Sequence, residues 1–203
     1  MKDISWRLSE DATKKTVLVA ESAESDDKIE RSDNRIFFYS EVNRSKILEL
    51  NKEIRSLSLD ILYNSKALSI DPANIYLHIN SYGGSVFAGF AAVDYIKNCE
   101  VPVVSIIDGV AASAATIMSV VAKKRLIHEH SFMLIHQLSS GMWGKYEELR
   151  DDMKNCDVLM EKIKKIYSEH TKIPKRKLNQ ILKHDLWFDA ETCLKYGLVD
   201  DII

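Results

Sequence analysis

The sequence predicts an α/β domain in which parallel strands are joined by helical crossovers. Three observations predict it. Two runs of strand length, "IYLHIN" (75–80) and "VPVVSII" (101–107), are rich in β-branched residues. A glycine-bearing turn follows each, and a helix-like apolar run follows each turn. That alternation of strand, turn and helix places successive strands parallel, with right-handed connections. The length, 203 residues, suits one domain with a real core.

The elements follow in order. Residues 1–33 are read as a flexible N-terminal arm, because "ESAESDDKIERSD" (21–33) is polar, charged and poor in apolar residues. Within it "TVLVA" (16–20) is a short strand candidate. A single packed domain, 34–203, opens with "RIFFYSEV". A helix follows in "RSKILELNKEIRSLSLDIL", with apolar positions at Ile47, Leu50, Ile54, Leu57 and Ile61. After the strand 75–80 comes the turn "SYGG" and the helix "SVFAGFAAVDYIKNC". The strand 101–107 leads through a turn at Gly109 to a helix from Ser113, and shorter strands lie at "RLIH" and "FMLIHQ". Beyond a loop around Gly141, a long helix carries Tyr146, Leu149, Met153, Cys156, Met160, Ile163 and Tyr167 at spacings of 3 and 4. This is a heptad seam on an otherwise charged helix. It must be buried, either on its own domain or against another subunit.

Composition excludes several classes. The formal net charge of −2 gives no electrostatic footprint for nucleic acid. No apolar run reaches the length of a membrane span, and no secretory h-region opens the chain. Cys99, Cys156 and Cys193 are far apart and show no C-x-x-C spacing, so neither a disulfide framework nor a zinc site is suggested. The reading is a soluble, cytoplasmic protein without nucleic-acid or membrane partners.

The candidate chemistry centres on "DGVAASAATIM" (108–118), where Ser113 is a lone hydroxyl among small residues at a strand-to-helix boundary. Close packing would account for the small residues. A nucleophile would also account for the hydroxyl, provided a base and an orienting acid exist. His136 ends an apolar strand just before the polar loop "QLSSG", where parallel strands collect functional groups. Asp185 precedes the apolar pair Leu186 and Trp187, which suggests a partly buried carboxylate in need of a partner. Asp94 and Asp108 are rival acids. Gly83 and Gly84 let backbone N–H groups turn into a cavity, and the N–H of Ala114 is a second donor for an oxyanion. The other histidines read differently. His78 lies in a strand, His128 and His130 form an H-x-H pair without a third metal ligand, and His170 ends the long helix as a solvated charge.

"INSYGGSVFAGFAAVDYI", "GVAASAATIM", "MLIHQLSSG" and "YGLVDDI", in this order and spacing, resemble the ClpP family, the proteolytic subunits of the Clp protease. The resemblance runs from about Arg35 to the C-terminus. It implies a ββα superhelical spiral of the ClpP/crotonase type with a protruding helix-strand handle at about 137–172. It also implies a serine endopeptidase with Ser113, His136 and Asp185 as triad, and with Gly83, Gly84 and Ala114 around the oxyanion and substrate. It further implies heptameric rings stacked as a tetradecamer, an axial-pore role for the arm, and unfolded polypeptide substrates. An AAA+ unfoldase of ClpX or ClpA type would supply them. No cofactor or metal is implied for the chain itself, since ATP is used only by the partner ATPase.

There are departures from the family pattern. Tyr82 and Leu138 stand where Pro is usual, and Ala114 and Ala115 stand for Met-Gly. Lys183 and His184 replace an acid-base pair that helps join the rings. These departures and the long acidic arm leave an alternative: a phage-encoded, ClpP-like head-maturation protease that trims capsid proteins without an unfoldase, in the host cytoplasm. A non-catalytic ring subunit would lack triad members. A crotonase-like acyl-CoA enzyme would not need Ser113 together with His136.

Overall fold

The structure, a computed structural model, describes residues 28–203. Strands β1 (Lys28–Ser32) and β2 (Arg35–Tyr39) form an antiparallel hairpin. Ser32 pairs with Arg35, so Asp33 and Asn34 make a two-residue turn, and Asp33 takes φ 52°. Such turns need positive φ, which Asp and Asn tolerate. The arm expected to be flexible through residue 33 is therefore corrected for 28–33. Composition hid this strand because only Ile29 of its five residues faces the core. The expected strand at 16–20 and the rest of the arm read as the pore segment, residues 1–27, lie outside the described residues.

The remaining elements are α1 (Arg44–Leu68), β3 (Ile75–Ser81), α2 (Val86–Lys97), β4 (Val103–Ala112), α3 (Ala114–Val120) and β5 (Lys124–Ile127). They continue as β6 (Phe132–Leu134), α4 (Tyr146–His170), α5 (Lys175–Ile181), β7 (Trp187–Phe188), α6 (Ala190–Tyr196) and β8 (Asp201–Ile202). The sheet runs β1-β2-β3-β4-β5-β8, parallel from β2 onward. β6 joins the far end of β4 in parallel, and β7 pairs antiparallel with β6.

Strand β4 explains how the sheet serves the site. Its first half, Val104–Ile107, pairs with β5, and its second half, Val110–Ala112, pairs with β6. Between them Gly109 has φ 78°, and its amide donates to Ser131 Oγ at 2.7 Å. The residue expected to end the strand is thus a kink within it, and the strand runs on to Ala112. The second half has a new partner to satisfy its backbone, which the apolar pattern of 101–107 did not reveal.

Helix α1 buries Ile47, Leu50, Ile54 and Leu57, as the periodicity predicts, with Ile61 partly buried. Asn43 caps it by accepting from the Lys46 amide at 2.9 Å. The core between helices and sheet contains Ile36, Phe38, Leu50, Leu77, Ile79, Ile107 and Met118, all fully buried. The seam on α4 divides. Ile163 and Tyr167 are buried in the domain, whereas Tyr146 and Met153 are exposed. In the handle, residues 137–145 form no strand, because no neighbouring segment among the described residues supplies ladder partners.

The C-terminal edge is tied down by Arg125. Its guanidinium donates to both carboxylate oxygens of Asp200 and to the Gly197 carbonyl at 2.8 Å. The Arg125 hydrogen bonds hold the Asp200 carboxyl below the usual range, against partial burial. A depressed folded-state value adds stability above the unfolded pKa of about 3.9 and loses it as pH falls through the folded value. Asp200→Asn is therefore expected to lower Tm at pH 7, and the gap to the parent protein should close below about pH 4. Thermal melts across that range check it. A gap independent of pH would contradict the ion-pair account.

Candidate active site

Ser113 sits at the junction of β4 and α3 with φ 53° and ψ −123°. That is a strained backbone for a residue with a side chain, costing about 1–3 kcal/mol. Its amide is pinned by the Leu134 carbonyl at 2.8 Å, and its carbonyl accepts from the Thr116 amide and hydroxyl at 3.0 and 2.6 Å. A serine at a helix N-terminus usually caps it, as Ser85 does for α2 by accepting from the Ala88 amide. Ser113 makes no such cap bond. Ser113 lines a cavity, and its hydroxyl is not used by the helix.

His136 follows β6, which is fixed on both sides: Leu134 pairs with Trp187, and the Gln137 amide donates to the Leu182 carbonyl at 2.7 Å. Asp185 hangs between the end of α5 and β7. Its Oδ1 lies 3.1 Å from His136 Nδ1. Ser113 and His136 line one cavity of about 100 Å³ together with Gly84, Ala114, Val86, Ile117, Leu138, Ile163 and Tyr167. The expected burial of Asp185 is corrected: its side chain is 74% exposed, against 23% for His136. The apolar residues beside it, Leu186 and Trp187, are themselves exposed and cannot shelter it.

The two glycines have different tasks. A β-bridge joins Val42 to Gly84, using the Gly83 carbonyl and the Ser85 amide. In a parallel bridge the central residue's own N–H points to the opposite side, which here lines the cavity. Gly84 (φ 145°) and Ala114, the first residue of α3, both line the space beside Ser113. Gly83 is corrected as a donor, because its amide is taken by Ser81 Oγ at 3.2 Å. Its requirement is close approach. A Cβ there would lie 2.6 Å from the Ala112 carbonyl oxygen and 2.7 Å from Ser113 Cβ.

The other acids and histidines fall elsewhere. Asp108 Oδ2 accepts from His78 Nδ1 and from the Tyr39 hydroxyl, each at 2.8 Å. His128 Nε2 stands 3.2 Å from Oδ1 without hydrogen-bond geometry. Burial pushes the Asp108 carboxyl up, but these hydrogen bonds outweigh it and hold it low. Burial and Asp108 push the Tyr39 phenol up to about 12. His78 Nε2 faces Arg35 at 2.8 Å, so Nδ1 carries the proton, and Phe37 stacks on the ring at 4.5 Å. This polar group on β2, β3 and β4 escaped the sequence reading, because its members come from three separate strands. The rival acid Asp108 is committed to it. Asp94 lies on α2, outside the cavity lining. His170 is corrected too: burial, then Lys97, holds it below its ordinary value rather than leaving it a solvated charge. Among the described residues no group of three or more potential ligands is placed to hold a metal ion. None of the described helices is long and apolar enough to cross a membrane.

The Clp protease family description matches residues 30–203. The chain belongs to the Clp protease family. It is 35% identical to ATP-dependent Clp protease proteolytic subunit 2 of Treponema denticola, over 76% of this chain and 78% of that one. It is 30% identical to the protein of the same name in Treponema pallidum, over 95% and 94%. It is 29% identical to the proteolytic subunit of Deinococcus radiodurans, over 85% and 87%. Among solved structures, a point mutant of ClpP1 from Listeria monocytogenes superposes with TM-score 0.72 at 25% identity, covering 84% of this chain and 91% of that one. The fold is the ClpP fold, and the chain is a ClpP-type serine endopeptidase.

Proposed function

We propose that peptide hydrolysis in this member runs through Ser113, His136 and Asp185. The observation that carries the reading is the convergence on one cavity of Ser113, uncapped at a positive-φ junction, and His136, whose other nitrogen faces Asp185. The His136 Nδ1–H would turn onto Asp185, 3.1 Å away, which leaves Nε2 to take the Ser113 proton as Oγ attacks the carbonyl carbon. The resulting oxyanion would be met by the Gly84 and Ala114 amides, each such donor being worth about 3–4 kcal/mol of barrier. His136 then returns the proton to the departing amine as the peptide C–N bond breaks, leaving an ester on Ser113. Water, deprotonated by the same nitrogen, cleaves that ester and regenerates the hydroxyl. The apolar part of the cavity takes the side chain of the residue before the scissile bond. No metal or cofactor of the chain enters these steps. Hydrolysis of an internally quenched peptide, and its loss on treatment with a serine-directed phosphonate, is the test. Hydrolysis that survives the phosphonate would refute the serine route.

The assembly proposed is a pair of stacked heptameric rings in the cytoplasm, fed with unfolded polypeptide by an AAA+ unfoldase of ClpX or ClpA type. The relatives' description as subunits of an ATP-dependent protease supports it. So does the exposed end of the α4 seam, which has Tyr146 and Met153 in the open on an otherwise charged helix. Placing a charge there, as in Met153→Glu, is expected to halve the particle to single rings. Sedimentation velocity checks it. A particle of unchanged size would remove α4 from the ring contact.

A further inference from the structure

Tyr167 lines the cavity beside Ser113. Val86, Ile117, Leu138 and Ile163 form its apolar walls, while Tyr167, only 1% exposed, is the largest side chain lining it. The ring is locked in place. Thr116 spends its hydroxyl proton on the Ser113 carbonyl at 2.6 Å, so in the contact between Thr116 Oγ1 and the Tyr167 hydroxyl the tyrosine is the donor. Thr116 is itself fully buried. Swinging the ring aside would break the hydrogen bond to this buried hydroxyl. Burial also pushes the phenol up, so it stays a donor over the neutral range. Both hydroxyl protons are thereby consumed within the protein, and neither is left to donate to a polar substrate side chain.

We propose that Tyr167, locked to Thr116, sets the depth of this pocket and restricts the residue before the scissile bond to short or medium apolar side chains. Aromatic side chains are excluded. The inference rests on the Ser113 reading above. Its physical basis is that a buried ring packed into the domain cannot yield to a larger group without strain. Size discrimination by an apolar pocket ranges from about 10- to 200-fold.

The experiment uses the full-length assembled protein and a set of quenched peptides differing only at the residue before the cleaved bond. The parent protein is expected to prefer Leu over Phe by about tenfold or more in kcat/KM. Tyr167→Ala should raise the Phe-to-Leu ratio by about tenfold. Tyr167→Phe, which keeps the ring and removes the lock, should raise it by about threefold. Thr116→Val removes the same lock together with the bond to the Ser113 carbonyl, so its Phe-to-Leu ratio, which cancels any change in nucleophile reactivity, should move with that of Tyr167→Phe, and it gives a second route if Tyr167→Ala does not fold. A fluorophosphonate with no side chain at that position serves as the control. If the parent is not labelled on Ser113, the Ser113 reading itself fails. If labelling holds in every folded variant but the ratio stays within twofold of the parent, the pocket depth is set elsewhere and this inference is overturned.

Discussion

Ser113→Ala is expected to lose all measurable peptide hydrolysis while the fold and the ring assembly persist. The expectation follows from the local geometry. Ser113 gives its amide to Leu134 and its carbonyl to Thr116, and both are backbone contacts that alanine keeps. Its hydroxyl caps nothing. Removing it therefore costs the fold little, and relief of strain at φ 53° is not gained, because alanine has the same Cβ. What disappears is the atom that forms the covalent ester. Peptide hydrolysis and sedimentation velocity on the same preparation separate the two effects. Full activity in the variant would refute the nucleophile, and loss of assembly would show that the junction is structural first.

Asp185→Asn carries the second large effect. An amide at this position still contacts His136 Nδ1, 3.1 Å away in the parent, but it favours the wrong tautomer of the imidazole. A fall in turnover of about 10⁴ is expected if the pair behaves as in other serine proteases. The exposure of the Asp185 side chain in the single chain makes this a demanding test, because a solvated carboxylate orients a neighbour weakly. Asp108→Asn is the matched comparison. It disturbs the His78 and Tyr39 hydrogen bonds and should affect stability before turnover. Steady-state kinetics on both variants decides. An inactive Asp108→Asn alongside a competent Asp185→Asn would reverse the assignment.

The parts of this molecule that were legible in the sequence are those with a local cause. The periodicity of Ile47, Leu50, Ile54 and Leu57 marks the buried face of α1, and the double glycine marks the turn into α2. Ser113 and His136 were legible because each sits where a strand gives way, and their motifs keep family order. What the sequence concealed depends on partners distant in the chain. The strand character of 110–112 exists because β6 supplies a ladder, and the hairpin of 28–39 exists because Ile29 finds the core. The division of labour between Gly83 and Gly84 follows from a bridge to Val42, which lies on the far side of α1 and β3 in the chain. The exposure of Asp185 reflects outward-facing neighbours that composition alone assigned to the interior.

The most direct test of the central claim is to locate the covalent adduct. The assembled protein is treated with a serine-directed fluorophosphonate, digested, and the modified peptide sequenced by tandem mass spectrometry. One adduct per chain on Ser113 is predicted, with labelling slowed in Asp185→Asn and absent in Ser113→Ala. An adduct on another serine, or peptide hydrolysis that continues after the label has saturated Ser113, would contradict it.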